Sequence, residues 1–119
     1  MEEIKRWFGQ AEKDFDTAKY NLNGEKTEAG IFFLQQSAEK ALKALYIKKY
    51  KKLLKVHDLV LLARKINAPK KILNFCQELS PAYHYTRYPD IPLINDLGNM
   101  PDKFVNYTEE ILKWVKKNI

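Results

Sequence analysis

The chain has 119 residues, the size of one domain, and 45% of them are hydrophobic, which is enough to bury a core. No apolar run is long enough to span a membrane and the start, MEEIKRWFGQ, lacks signal-peptide features, so we expect a cytoplasmic protein. A lone cysteine, Cys76, excludes an intrachain disulfide and a cysteine-based zinc site, and a net charge of +6 favours anionic partners.

The first predicted helix runs from Glu2 to Leu22, and Gly24 follows it as a C-cap candidate. Its apolar residues recur at the spacing of one helix face: Ile4, Trp7, Phe8, Ala11, Phe15, Ala18 and Leu22. Asp14 lies at the edge of this stripe. Because an unpaired buried charge is costly, this carboxylate is expected to need a partner or a route to solvent.

The second predicted helix starts near Thr27, where Thr27 and Glu28 suit an N-cap and the positive end of the helix dipole, and reaches about Tyr50. One side of it is predicted to face the core through Ile31, Leu34, Ala38, Ala41, Leu42 and Leu45. The opposite side carries Gln36, Glu39, Lys40 and Lys43. It is either a solvated surface with a Glu39–Lys43 ion pair or a site for an anionic ligand.

Three shorter helices complete the prediction. The third begins at His57 or Asp58 and ends near Asn67, the fourth has Pro69 in its first turn, and the last spans about Pro101 to Asn118. We find no strand alternation, Gly-rich loop or internal repeat. The predicted fold is therefore all-α, a compact antiparallel bundle of about five helices with two long central helices, in a single domain spanning 1–119.

The positive charge is unevenly distributed along the chain. Five lysines fall within eight residues: Lys48, Lys49, Lys51, Lys52 and Lys55. Such a cluster is either a solvated surface or an attraction site for nucleic acid or nucleotides.

Three groups of residues, taken together and in this order, resemble the HEPN domain family (higher eukaryote and prokaryote nucleotide-binding). They are Trp7-x-x-x-Ala11-x-x-Asp14, then Phe32/Phe33 with Gln36-x-x-Glu39-Lys40-x-x-Lys43-Ala44-Leu45 and His57-Asp58-Leu59, then Tyr85-x-Arg87-Tyr88-Pro89-Asp90. These groups extend over nearly the whole chain.

The resemblance implies a compact antiparallel helical bundle that is often a homodimer. In prokaryotes it implies association with a small nucleotidyltransferase, and it implies either nucleotide binding or the activity of a metal-independent ribonuclease toxin in a toxin–antitoxin pair. It implies no cofactor and no metal. Phe32 and Phe33 agree with a dimer, because adjacent residues cannot both face one core.

One departure from the family concerns the ribonuclease branch, in which an Arg is followed after four to six residues by a His. Here Arg87 is followed by Tyr-Pro-Asp-Ile-Pro-Leu-Ile, and His84 precedes it. RNA cleavage without a metal needs a base, an acid and a cation for the phosphorane-like charge. The candidates for these catalytic roles are His84, His57 and Arg87.

A nucleotide site needs less: cations for the phosphates and an aromatic ring for the base. The candidate binding residues are Lys40, Lys43, Arg87, Tyr85 and Tyr88, with supporting polar groups at Asp14, Glu39, Asp58 and Asp90. Alternatively, Arg87 pairs with one of these carboxylates and His57 caps or orients the third helix. We thus expect a nucleotide- or RNA-binding partner module, with a ribonuclease toxin and a purely structural partner subunit as alternatives.

Overall fold

The structure is a computed structural model that describes residues 2–81 and 100–119. The helices are α1 (Glu2–Asn23), α2 (Thr27–Tyr50), α3 (Leu59–Lys65), α4 (Lys70–Leu79) and α5 (Met100–Asn118). These two ranges contain five helices and no strand. The predicted all-α bundle with two long central helices is confirmed.

The first two helices form an antiparallel hairpin, because only three residues separate them and they pack along each other. The turn is a Schellman motif: the N–H of Lys26 donates to the carbonyl of Asn21 at 2.7 Å, and that of Glu25 to Leu22 at 3.1 Å. The left-handed residue is Glu25, with φ of 63°, one position after the predicted Gly24. A non-glycine residue therefore holds the conformation that glycine adopts most easily.

The centre of the molecule is α2, which contacts α1, α3 and α5. Every residue from 41 to 47 is buried, and the whole predicted core face is buried as well. The predicted polar face does not turn into open solvent, since Glu39 is 3% exposed and Lys43 is 6% exposed. Neighbouring helices surround α2, so charges that a wheel places opposite the core still lie inside the bundle.

The start of α3 is fixed by Asp58, whose side chain accepts hydrogen bonds from the N–H groups of Val60 at 3.0 Å and Leu61 at 3.2 Å. Of the two predicted cap residues, Asp58 is thus the N-cap. The predicted start of α2 near Thr27 is confirmed, since Thr27 is its first helical residue, but the N-cap is Lys26, without a side-chain bond, rather than Thr27.

The last helix, α5, closes the bundle against α2 and α4. It buries Phe104, Thr108, Ile111, Leu112 and Val115, whereas Tyr107 and Trp114 are only half-buried. Thr108 is tolerated inside because its hydroxyl donates to the carbonyl of Phe104 at 2.8 Å. Neither this helix nor any other in the described ranges is long and apolar enough to cross a membrane.

Candidate functional site

A cluster of buried polar side chains lies where α1 meets α2. Most of the described buried residues are apolar, and the charged exceptions are Asp14, Glu39 and Lys43. Within the described ranges, every buried side-chain nitrogen and oxygen has a hydrogen-bond partner. The cluster is called the α1–α2 polar network below and consists of Gln10, Asp14, Gln35, Gln36, Glu39, Lys40, Lys43 and His57.

One half of the network joins the two helices through Asp14 and Lys40. The Nζ of Lys40 lies 2.5 Å from Oδ2 of Asp14, and Gln10 donates from Nε2 to Oδ1 at 3.0 Å. The Asp14 side chain is 6% exposed and the Lys40 side chain 25% exposed. The partner that Asp14 was expected to need is therefore Lys40, which also reaches the edge of the site.

The other half of the network is centred on the buried carboxylate of Glu39. Its Oε2 lies 2.9 Å from Nζ of Lys43. Both of its oxygens lie 3.1–3.2 Å from Nδ1 of His57. Because a carboxylate can only accept, Nδ1 is assigned the proton in this contact. Glu39 thus fixes the orientation of the imidazole.

A chain of amides completes this half. Gln36 donates to Oε1 of Gln35 at 2.7 Å, and Gln35 donates to Glu39 at 3.3 Å and to the carbonyl of His57 at 3.4 Å. Sequence reasoning missed Gln35, which is fully buried, and Gln10. The sequence feature that indicates these two contacts is the spacing. Each glutamine precedes its carboxylate by four residues, and side chains four residues apart meet on one helix face.

The charge of Lys43 is compensated on two sides. Besides Glu39, its Nζ lies 5.7 Å from the centre of the Trp7 ring, within the range of a cation–π interaction. The Lys43 side chain is 7% exposed. Lys43 therefore neutralises the interior carboxylate. The members of the network that reach the surface are Gln10, Lys40 and His57, and of these Lys40 and His57 are the basic ones.

The structure brings together five of the predicted site residues, namely Asp14, Glu39, Lys40, Lys43 and His57. The His57 side chain is 57% exposed, at the outer end of the network. Asp58, next to it, is exposed and caps α3. The other candidates lie outside the described residues, and their roles stay predictions: His84, Tyr85, Arg87, Tyr88 and Asp90.

The described part of the chain offers neither a cluster of metal ligands nor a reactive thiol. No group of three or more His, Cys, Asp or Glu residues there is placed to hold a metal ion. Burial, with a smaller contribution from the charge of Asp58, raises the pKa of the Cys76 thiol from 9.0 to about 12. This thiol stays protonated at neutral pH, so Cys76 acts as a buried small hydrophobe.

The arrangement offers two groups that reach the surface, the ammonium of Lys40 and the imidazole of His57, whose orientation Glu39 fixes. An ammonium group such as Lys40 can contact a phosphate oxygen, and a histidine held by a carboxylate can donate a hydrogen bond or accept a proton. The remaining groups of the network hold these two in place.

Comparison with known proteins agrees with this fold. The HEPN domain model matches residues 4–118. The crystal structure of ST0689, an archaeal HEPN homologue, is 31% identical over 98% of both chains, with a TM-score of 0.77. The crystal structure of TT1696 from Thermus thermophilus is 22% identical, covers both chains fully and has a TM-score of 0.87, which shows a shared fold. No curated protein matches. The chain belongs to the HEPN domain family.

Proposed function

We propose that this HEPN protein is a partner module that binds a nucleotide or RNA at the surface end of the α1–α2 polar network. The observation that carries the proposal is a pair of partly buried ionic groups, Asp14 with Lys40 and Glu39 with Lys43 and His57, from which Lys40 and His57 reach the surface. Apolar residues of similar volume generally stabilise a core as well as a buried ion pair does. Stability alone therefore does not account for these ion pairs, and a binding role does.

In this proposal each residue has a separate role. Lys40 contacts a phosphate, and Asp14 holds its ammonium in place. His57 accepts a hydrogen bond from the ligand at Nε2, and Glu39 orients its ring. Lys43 keeps the interior electrically balanced. Arg87 adds a second phosphate contact, and Tyr85 and Tyr88 add stacking surfaces for the base.

The proposed partners are a second copy of the chain and a small nucleotidyltransferase. Phe32 supports self-association, because it is half-buried and, unlike Phe33, is not among the residues that pack against the core. Light scattering on the purified protein tests the dimer, and Phe32→Ser is expected to shift it toward monomer. Co-purification with the product of an adjacent nucleotidyltransferase gene tests the second partner.

Calorimetric titration with ATP, GTP and a short RNA at two salt concentrations tests the ligand. We expect saturable binding that weakens at least tenfold in Lys40→Gln and in Arg87→Ala. The matched control is Lys13→Gln, which removes one exposed lysine from α1. Absence of saturable binding, or equal weakening by the control, removes the ligand from the proposal and leaves a structural partner subunit.

One contact favours a second candidate, the metal-independent ribonuclease toxin. The Glu39–His57 pair holds an imidazole as a general base is held, 3.1 Å from a buried carboxylate. His57 would take the proton of the 2′-hydroxyl, whose oxygen attacks phosphorus. The bond from phosphorus to the 5′-oxygen breaks and that oxygen takes a proton from water, which gives a 2′,3′-cyclic phosphate and a 5′-hydroxyl. Incubation with RNA, followed on a gel, tests this activity. Intact RNA with folded wild-type protein, or cleavage unchanged in His57→Gln, rejects this role.

A further inference from the structure

Two adjoining clefts open at the end of the bundle where α2 ends, α4 begins and α5 makes its last turns. Their volumes are about 500 and 540 Å³, and both are lined by Pro69 and Trp114. They share no lining residue with the α1–α2 polar network. They are called the lysine clefts below.

The lysine clefts are strongly basic, with Glu110 as the one acidic residue among those that line them. The cations are six exposed lysines: Lys48, Lys49, Lys71, Lys113, Lys116 and Lys117. Within the described part of the chain only Lys113 meets a carboxylate, that of Glu109 at 3.8 Å, and both side chains of this pair are exposed. The positive charge at this end of the molecule is therefore largely uncompensated.

Two of the lysines are held in position by backbone oxygens. The Nζ of Lys48 donates to the oxygen of Asn118 at 2.8 Å and to that of Ile119 at 3.4 Å, and the Nζ of Lys49 donates to the oxygen of Ile66 at 3.1 Å. A peptide carbonyl does not neutralise an ammonium group. Each ammonium has three donors, so one donor of Lys48 and two donors of Lys49 remain for another acceptor.

Trp114 forms the wall between the two clefts and is half-buried. Lys117 lies three positions after Trp114 and therefore on the same face of α5. Lys113 lines the same cleft as these two residues. A flat aromatic ring flanked by cations is the combination with which proteins hold single strands, because the cations contact phosphates and the ring stacks on a base.

We propose that the lysine clefts bind single-stranded nucleic acid, with a base stacked on Trp114 and the neighbouring phosphates on the six lysines. Charge complementarity identifies the occupant as a polyanion. The shared tryptophan favours a nucleic acid over an acidic peptide, which needs no ring. The bases of a duplex are stacked on each other, so a single strand fits better. This inference does not depend on the proposed ligand of the α1–α2 polar network.

Fluorescence anisotropy with a labelled oligouridine of about ten nucleotides measures this binding, over a series of salt concentrations. We expect the logarithm of the association constant to fall linearly with that of the salt concentration, by about 0.7 for each phosphate contact. The double variant Lys116→Gln/Lys117→Gln should lower this slope by about 1.4. The control Lys5→Gln/Lys13→Gln removes the same charge from the exposed side of α1 and should leave the slope unchanged.

Substitution of Trp114 separates stacking from charge. Trp114→Leu should weaken binding about tenfold or more with an unchanged salt slope, whereas Trp114→Phe keeps a ring and should lose less. Tryptophan emission should be quenched by the oligonucleotide in the wild type and much less in Trp114→Phe. Thermal unfolding checks that each variant is folded. A DNA strand of the same length shows whether the sugar matters.

Three outcomes overturn the inference. If the control pair weakens binding as much as the cleft pair does, the attraction is general and not located in the clefts. If poly-glutamate or a duplex displaces the single strand at equal charge concentration, the clefts fit another partner. If Lys40→Gln abolishes binding and Trp114→Leu does not, the strand lies on the α1–α2 polar network. That last result would leave the proposed function intact.

Discussion

Two charged regions of this molecule use lysine in opposite ways. In the α1–α2 polar network, Lys40 and Lys43 each meet a carboxylate, at 2.5 and 2.9 Å. In the lysine clefts, Lys48 and Lys49, from the same helix, bond to backbone oxygens. Burial makes the difference: the middle of α2 is enclosed by other helices, whereas its last turn is exposed.

This difference determines which property each region controls. A buried ion pair acts on stability, because removal of one partner leaves an uncompensated charge in a medium of low dielectric constant. Exposed lysines contribute little to folding, and their attraction for polyanions is screened by salt. We therefore expect changes in the network to alter unfolding and changes in the clefts to alter binding.

The largest effect is expected for Glu39→Gln. The variant keeps the shape of the side chain but leaves Lys43 buried without a carboxylate, which should lower the free energy of unfolding by about 3–5 kcal/mol in urea denaturation. The control Glu109→Gln breaks the exposed pair with Lys113 and should change it by less than about 0.5 kcal/mol. Equal losses of stability in the two variants would contradict the expectation that burial makes the loss of the Glu39 carboxylate more costly.

A smaller loss is expected for Asp14→Asn, about 2 kcal/mol in the same measurement. Lys40 is 25% exposed, so its ammonium can turn to water once the carboxylate is gone. The double variant Asp14→Asn/Lys40→Met should recover part of the loss, because it leaves no unpaired charge. A loss as large as that of Glu39→Gln would mean that Lys40 cannot reach solvent.

Much of the fold follows from local patterns in the sequence. The spacing of Ile31, Leu34 and Ala38 predicts the core face of α2, and Asp58 marks the start of α3 through the chemistry of a cap. The end of α1 is less predictable, since the Schellman geometry depends on where the chain must turn. That turn puts the left-handed conformation on Glu25 although Gly24 is adjacent.

The candidate site is less predictable than the fold, because a helical wheel shows directions and not neighbours. Glu39 and Lys43 lie opposite the core face in the sequence pattern, yet α1 and the segment around His57 cover them. The need of Asp14 for a partner could be inferred from the cost of a buried charge. That Lys40, 26 residues away, is this partner depends on the register between two helices, which local spacing does not specify.

Cys76 is a buried titratable group in α4, the helix whose start borders the lysine clefts, and it provides a test of packing at this end of the molecule. Its pKa is raised from 9.0 to about 12, so the folded state binds the proton more tightly than the unfolded state does. The contribution of this pKa difference to the free energy of unfolding is fully present below pH 9 and is lost as pH rises toward 12. Between about pH 8 and pH 10 the wild type should lose about 1.4 kcal/mol more than Cys76→Ala in urea denaturation.

Parallel slopes for wild type and Cys76→Ala would contradict this expectation and would mean that the thiol is open to water. Labelling with a thiol reagent at about pH 8 gives an independent measure. A buried, protonated thiol reacts only when α4 opens, so labelling should be far slower in the folded protein than in urea. Fast labelling would show that this end of the bundle is less firmly packed than the network.

The smallest effect on stability is expected for Lys116→Gln/Lys117→Gln, in which the two regions separate most clearly. Both lysines lie in the last turn of α5, where a cation gains about 0.3–1 kcal/mol from the helix dipole. Their removal also relieves repulsion among the lysines of the clefts, which is of similar size for exposed charges. The two terms oppose each other, so the free energy of unfolding should change by less than about 0.5 kcal/mol while the affinity for a single strand falls.

Glu39→Gln, studied at a temperature where it remains folded, should do the reverse, with a large loss of stability and an unchanged affinity at the clefts. If both variants alter both properties, the two regions are energetically coupled through α2, and burial alone does not explain their difference.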